Sequence, residues 1–148
     1  MRGGLCWGRE CKCNRGDVGL KIKLTSLFVN DQVAALAFYR DTLGFLVSQD
    51  IPAGDYRWLQ LASPEGGDAE LSLEPNVNPA ARTYQAALYQ QGIPATAFEV
   101  DDLSAEYARL QSAGVKFSTP PTLAGGATIA IFDDTVGNMI QIYQLDSK

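Results

Sequence analysis

Apolar and polar residues alternate through KIKLTSLFV (21–29), with β-branched and aromatic side chains among them, the pattern of a strand with one buried face. The period then changes. Asp31 stands ahead of QVAALAFYRDTL, where Leu36, Phe38 and Leu43 can form one helical stripe, and Gly44 supplies a stop. Two-residue alternation returns in FLVSQDI and DYRWLQLAS, then, beyond the turn PEGGD, in AELSLEP. The same order recurs further on. ATAFEV reads as a strand, Asp102 caps LSAEYARLQSA with Leu103, Tyr107 and Leu110 on one face, and Gly114 ends it. VKFSTP, GATIAIFDD and, after TVG, NMIQIYQL complete the second set. Each half reads β-α-β-β-β, and the halves match at an offset of about 70 residues. Val29 answers Val100, Asp31 answers Asp102, and Gly44 answers Gly114.

Between the halves, Asn78, Pro79 and Gly92 are a cap, a first-turn proline and a stop. They predict a linker helix over about 79–91, between modules over about 21–75 and 93–145. A half of this size cannot bury its sheet face alone, so residues 21–148 are expected to fold as a single domain. Residues 1–20 have no counterpart in the repeat and read as a leader or extension without predicted function. They hold all three cysteines, Cys6, Cys11 and Cys13. A structural zinc site needs four ligands, and the chain contains no histidine. Net charge is −5; the leader carries Arg2, Arg9, Lys12 and Arg15 against Glu10 and Asp17, which leaves −7 on the remainder. Such a body repels phosphate backbones and attracts cations, so no nucleic-acid partner is expected. No apolar run approaches the roughly 18 residues of a membrane span. No membrane partner and a cytoplasmic location are the expectation.

The stretches FVNDQVAALAFYRDTLGF, FEVDDLSAEYARLQSAGVKF and IFDDTVGNMIQIYQL, duplicated in this order, resemble the vicinal oxygen chelate superfamily over residues 21–144. That superfamily holds glyoxalases, bleomycin-resistance proteins, ring-cleaving (extradiol) dioxygenases and fosfomycin-resistance enzymes. The resemblance implies an α+β fold: two paired βαβββ modules forming a cup-shaped mixed β-sheet, with helices outside and the ligand inside. It also implies a homodimer, since the family's cups are often completed across a two-fold axis.

Alternation then assigns each strand residue to the helix side or the cup side. Leu27, Val29, Leu71, Leu73, Ile140 and Ile142 should meet helices. Phe28, Tyr56, Trp58, Glu70, Ser72, Gln141 and Tyr143 should face the cup, aromatic walls with a few polar anchors, as small-molecule sites have. In metal-dependent relatives four cup positions, usually His or Glu, hold a divalent ion. Here they fall on Leu24, Ala95, Gln141 and Glu70, with Ser72 as the alternative for the last. One carboxylate and one amide cannot close a transition-metal site, so neither metal nor other cofactor is expected.

These features favour a metal-free small-molecule binding protein of the glyoxalase/bleomycin-resistance type, sequestering an aromatic or cationic compound in the cup. The alternative is a glyoxalase- or dioxygenase-like enzyme with an atypical or absent metal site. Glu70 would serve the first as a counter-charge and the second as a general base. Without histidine there is no Ser-His-Asp arrangement, and beyond the leader there is no cysteine nucleophile. PEGGDAE lacks the lysine of a phosphate loop and reads as a hairpin turn, as does DTVGN. A chain beginning at Lys21 should keep its thermal midpoint within about 2–4 °C of the full chain, as read by calorimetry. A larger loss would show that the leader packs on the body.

Overall fold

The computed structural model describes residues 19–146. Nearly all of the proposed leader, with its three cysteines, lies outside them. The first module runs β1 (Leu24–Val29), α1 (Gln32–Ala37), β2 (Leu46–Ala53), β3 (Tyr56–Ala62) and β4 (Glu70–Pro75). After α2 (Pro79–Gln90) the second runs β5 (Pro94–Glu99), α3 (Leu103–Ser112), β6 (Phe117–Leu123), β7 (Ala127–Asp133) and β8 (Met139–Leu145). The strands form two four-stranded mixed sheets, ordered β1-β4-β3-β2 and β5-β8-β7-β6. In each, the first strand pairs in parallel with the last and the other pairs are antiparallel. The architecture is α+β, as the resemblance implied.

The caps act as their spacing suggested. Asp31 Oδ1 accepts from the Val33 and Ala34 amides, Asp102 Oδ1 from Ala105, and Asn78 Oδ1 from Ala80, each at 2.9 Å. The single helix expected through residue 43 is α-helical only as far as Ala37. Phe38–Thr42 forms a wider turn, in which the Leu43 amide donates to Phe38 O at 3.0 Å, five residues back. Apolar periodicity cannot distinguish that step from ordinary helix, because Leu36 and Tyr39 are buried in either.

Alternation decides which face of each sheet is covered. Leu27 and Val29, Leu59 and Leu61, and Leu71 and Leu73 are buried in the first sheet, as are Ala130, Phe132, Ile140 and Ile142 in the second. Leu36, Tyr39, Leu103 and Leu110 reach them from the helices, and all belong to one core that joins the modules. The rings of Phe45 and Phe98 meet across the seam at 5.0 Å, and those of Phe38 and Phe132 at 6.2 Å. Each fully buried leucine contributes about 1.5–3 kcal/mol. The ion pairs among the described residues each lie within one module, so apolar contact rather than ion pairing joins the two.

A buried polar cluster gives that contact its register. The Asp134 carboxylate, wholly buried, accepts from the Val136 and Asn138 amides, from Asn138 Nδ2 and, at 2.8 Å, from the Tyr39 hydroxyl of the first module. Asn138 Nδ2 also donates to Phe28 O at 2.9 Å. Gln85 of α2 donates to Phe28 O at 2.8 Å and to Asn138 Oδ1 at 3.2 Å, and accepts from Asn76 at 2.6 Å. The turn that presents Asp134 needs Gly137: its φ is +106°, and a Cβ there would lie 2.6 Å from Gln85 Nε2.

A second amide solves a local problem in the first sheet. β3 and β4 share only three residue pairs, Gln60–Ser72, Leu61–Leu71 and Ala62–Glu70. Beyond them, buried Gln32 bridges the strands: Nε2 donates to Arg57 O and Leu73 O at 2.8 Å, and Oε1 accepts from the Arg57 amide at 3.0 Å. In the second sheet β7 and β8 pair without a break over seven residues.

Burial raises the pKa of Asp134, against the pull of its hydrogen bonds. Burial, followed by the neighbouring Asp134 charge and hydrogen bond, holds the Tyr39 phenol well above its ordinary range. With its native pKa raised, Asp134 contributes a stability that is complete below the ordinary carboxylate range and is lost as pH rises through the native value. The Tyr39 hydroxyl opposes that loss by donating to the anion. Tyr39→Phe should therefore cost about 1.5–3 kcal/mol where Asp134 is ionised, and less at acid pH. Urea unfolding of both proteins across a pH series from acid to alkaline checks both the size and the sign.

Candidate functional site

The uncovered face of each sheet carries the residues that alternation assigned to the cup. On the first sheet strand register sets them in rows. Leu24, Glu70, Ala62 and Leu46 are successive partners, followed by Ser26, Ser72, Gln60 and Gln49. Phe28 lies beside Glu74, Trp58 beside Ile51, and Tyr56 beside Ala53. The large apolar members are open to solvent: Trp58 is 52% exposed, Ile51 51%, Tyr56 43%, Leu24 41% and Phe28 36%. Ser72 is buried within the face and donates to Glu74 Oε1 at 2.6 Å.

Glu70 is the best-connected group on this face. Ser48 Oγ donates to Oε2 at 2.8 Å, and Lys23 Nζ lies 3.4 Å from Oε1. With its carbonyl turned toward Trp58, the Gln60 amide accepts from the indole Nε1 at 3.0 Å and donates to Glu70 Oε2 at 3.2 Å. The Ser48 hydrogen bond, with help from Lys23 and against partial desolvation, holds the Glu70 carboxyl below its ordinary range, so it is an anion at neutral pH.

The second sheet carries Gln141 and Tyr143, both half-buried on β8. Ala97 and Ile131 flank Gln141, and Glu99 and Ile129 flank Tyr143. The seven candidate residues are thus divided, five on the first sheet and Gln141 and Tyr143 on the second. Neither of the two clefts that they border brings them together. Tyr56 borders a cleft of about 240 Å³ with Gln32 and Arg57. Glu70 borders one of about 340 Å³ at the module seam, with Thr25, Phe45, Phe98 and Glu99. Phe28, Trp58, Ser72, Gln141 and Tyr143 line neither cleft.

The four positions at which metal-dependent relatives bind an ion do not fit one here. Leu24 and Ala95 have no side-chain donor atom, Gln141 offers a neutral amide, and the fourth position, Glu70 or alternatively Ser72, adds one carboxylate hydrogen-bonded to Ser48 or one hydroxyl that already donates to Glu74. Among the described residues no three His, Cys, Asp or Glu side chains come together as a metal would require. What the first face offers is a broad aromatic surface with two carboxylates, Glu70 tied to Ser48 and Glu74 beside Phe28. Gln60 shares the Trp58 face because the two are two residues apart on β3, and the bridge it makes between Trp58 and Glu70 depends on side-chain geometry. Among the described residues no helix is long and apolar enough to cross a membrane.

Known proteins share this framework. The family model described as Glyoxalase/Bleomycin resistance protein/Dioxygenase superfamily matches residues 21–142. Protein YurT of Bacillus subtilis strain 168 is 52% identical over 126 residues, 84% of this chain and 99% of that protein. The crystal structure of UcmS2 superposes with a TM-score of 0.74 at 27% identity, covering 85% of this chain and 98% of that one. The structure of TnmS3, an antibiotic binding protein from Streptomyces sp. CB03234, gives a TM-score of 0.69 at 31% identity, covering 86% of this chain and 97% of that one.

Proposed function

This chain belongs to the Glyoxalase/Bleomycin resistance protein/Dioxygenase superfamily, and from that premise we propose that it is a metal-free small-molecule binding protein that sequesters a planar aromatic or cationic compound against its first sheet. The observation that carries this reading is the open face that bears Phe28, Tyr56 and Trp58 together with an anionic Glu70, which Gln60 links to Trp58. Aromatic rings supply stacking area, and the carboxylate supplies a sign preference that salt weakens. The antibiotic-binding relative TnmS3 supports a binding role. The unsuitable residues Leu24 and Ala95 weigh against a family reaction that needs a chelated oxygen pair. The same reading includes a cytoplasmic location and no macromolecular partner other than a second copy.

A second copy follows from the same face. Leu24, Phe28, Leu46, Ile51, Tyr56 and Trp58 are each 36% exposed or more and leave an apolar surface open on this face. A two-fold assembly would cover its edge and wall the ligand in, with Gln141 and Tyr143 available from the second sheet. Light scattering should therefore give twice the chain mass of 16.0 kDa at micromolar concentration. A single-chain mass would remove the enclosed cup from the reading.

The ligand preference is tested by fluorescence in the full chain bearing Trp7→Phe, where Trp58 is the one tryptophan left. With chelator present, N-methylquinolinium should quench Trp58 more tightly than neutral quinoline or anionic quinoline-2-carboxylate. Cation–π contact supplies ~0.5–2 kcal/mol depending on desolvation. Glu70→Gln should remove most of the cation's advantage, and moderate salt should shrink it. Equal binding of the anion, or no effect of Glu70→Gln, would sink the cation preference.

A further inference from the structure

We propose that Gln60 is a positioning residue that locks the Trp58 ring as a stacking platform and couples it to the charge of Glu70. The inference rests on the reading of this face as a ligand surface and adds the residue that sets its geometry. With the Gln60 carbonyl toward Trp58 and its NH2 toward Glu70, the orientation that pairs donors with acceptors, the relay Trp58 Nε1–Gln60–Glu70 Oε2 spans 3.0 and 3.2 Å, and Ser48 anchors its far end at 2.8 Å.

Strand geometry explains the spacing. Trp58 and Gln60 are two apart on β3 and share a face. Gln60 is the direct partner of Ser72 on β4, so Glu70 is its diagonal neighbour, within reach of a long side chain. The chemistry explains the residue type. An indole N–H only donates, and an ionised carboxylate only accepts. A group joining them must accept at one end and donate at the other, and an amide does both. Leucine does neither, asparagine is one methylene shorter, and glutamate would set two carboxylates against each other.

The consequence is preorganisation. Trp58 is half-exposed, and an indole there with no polar partner would sample several rotamers. The relay fixes its N–H edge, leaving the flat of the ring for a ligand. A ring ordered beforehand does not lose that freedom on binding. Reducing the charge at position 70 should then loosen Trp58 as well as weaken cation attraction.

The test reads the indole directly, in the full chain with Trp7→Phe and ¹⁵N labelling. The Trp58 indole N–H should exchange slowly with solvent. Gln60→Leu should speed that exchange about fivefold or more, move the resonance, and weaken N-methylquinolinium binding roughly twofold to tenfold, while the backbone amide spectrum stays dispersed. Gln60→Glu should also loosen the indole. Pairing it with Glu70→Gln restores a donor–acceptor match, with the charge moved to position 60 and the net charge unchanged. That double variant should recover slow exchange, a rescue that a space-filling role for Gln60 would not produce. An indole signal that neither Gln60→Leu nor Gln60→Glu moves, or a double variant as loose as Gln60→Glu, overturns the relay. If the signals respond as expected but no cation binds the parent chain, the relay stands and the ligand reading fails.

Discussion

The arrangement of the two modules depends on one buried carboxylate. Asp134 stands at the start of the β7–β8 turn with no exposed surface, and it holds Tyr39 from the other module by a 2.8 Å hydrogen bond. Removing a carboxylate from water is unfavourable unless its lone pairs are occupied. Here donors from the turn itself and from Tyr39 occupy them. Apolar contact between Phe45 and Phe98 or Phe38 and Phe132 would tolerate small slips of one sheet over the other. Directional bonds to Asp134, and from Asn138 and Gln85 to Phe28 O, would not.

That inward commitment determines what faces out. With the helix-bearing faces joined in one core, the opposite faces of both sheets are left for something other than the chain's own interior. Phe28, itself tied through its carbonyl to Asn138 and Gln85, presents its ring on the first of them. The polar cluster that aligns the modules and the aromatic face proposed for ligand therefore meet at one residue of β1.

Much of this was legible in the sequence because it follows from period. Alternation separated Leu71 and Leu73 from Glu70 and Ser72, and the Asp31 and Asp102 caps marked where strand gives way to helix. Polar side chains that act inside the fold were not legible. Gln32 opens an amphipathic helix, DTVGN reads as an ordinary turn, and Gln85 lies in a linker helix. Their roles depend on which carbonyls and amides are left unpaired nearby, a property of the assembled sheets. The widened turn after Ala37 escaped for the related reason that a buried aromatic stripe is compatible with either winding.

The Gln32 clip bears on how the duplication has aged. Position 32 follows the cap Asp31; its counterpart after Asp102 is Leu103, buried in the core. In the second module the contact is of another kind: Gln144 Oε1, from β8, accepts from the Leu103 amide at the start of α3 at 2.8 Å. One half is an unbroken ladder between β7 and β8, while the other splays between β3 and β4 around an inserted side chain. The ancestral symmetry survives in the order of elements and has been lost in their stitching. A chimera carrying two copies of either half would repeat one kind of seam, so the halves are no longer interchangeable parts.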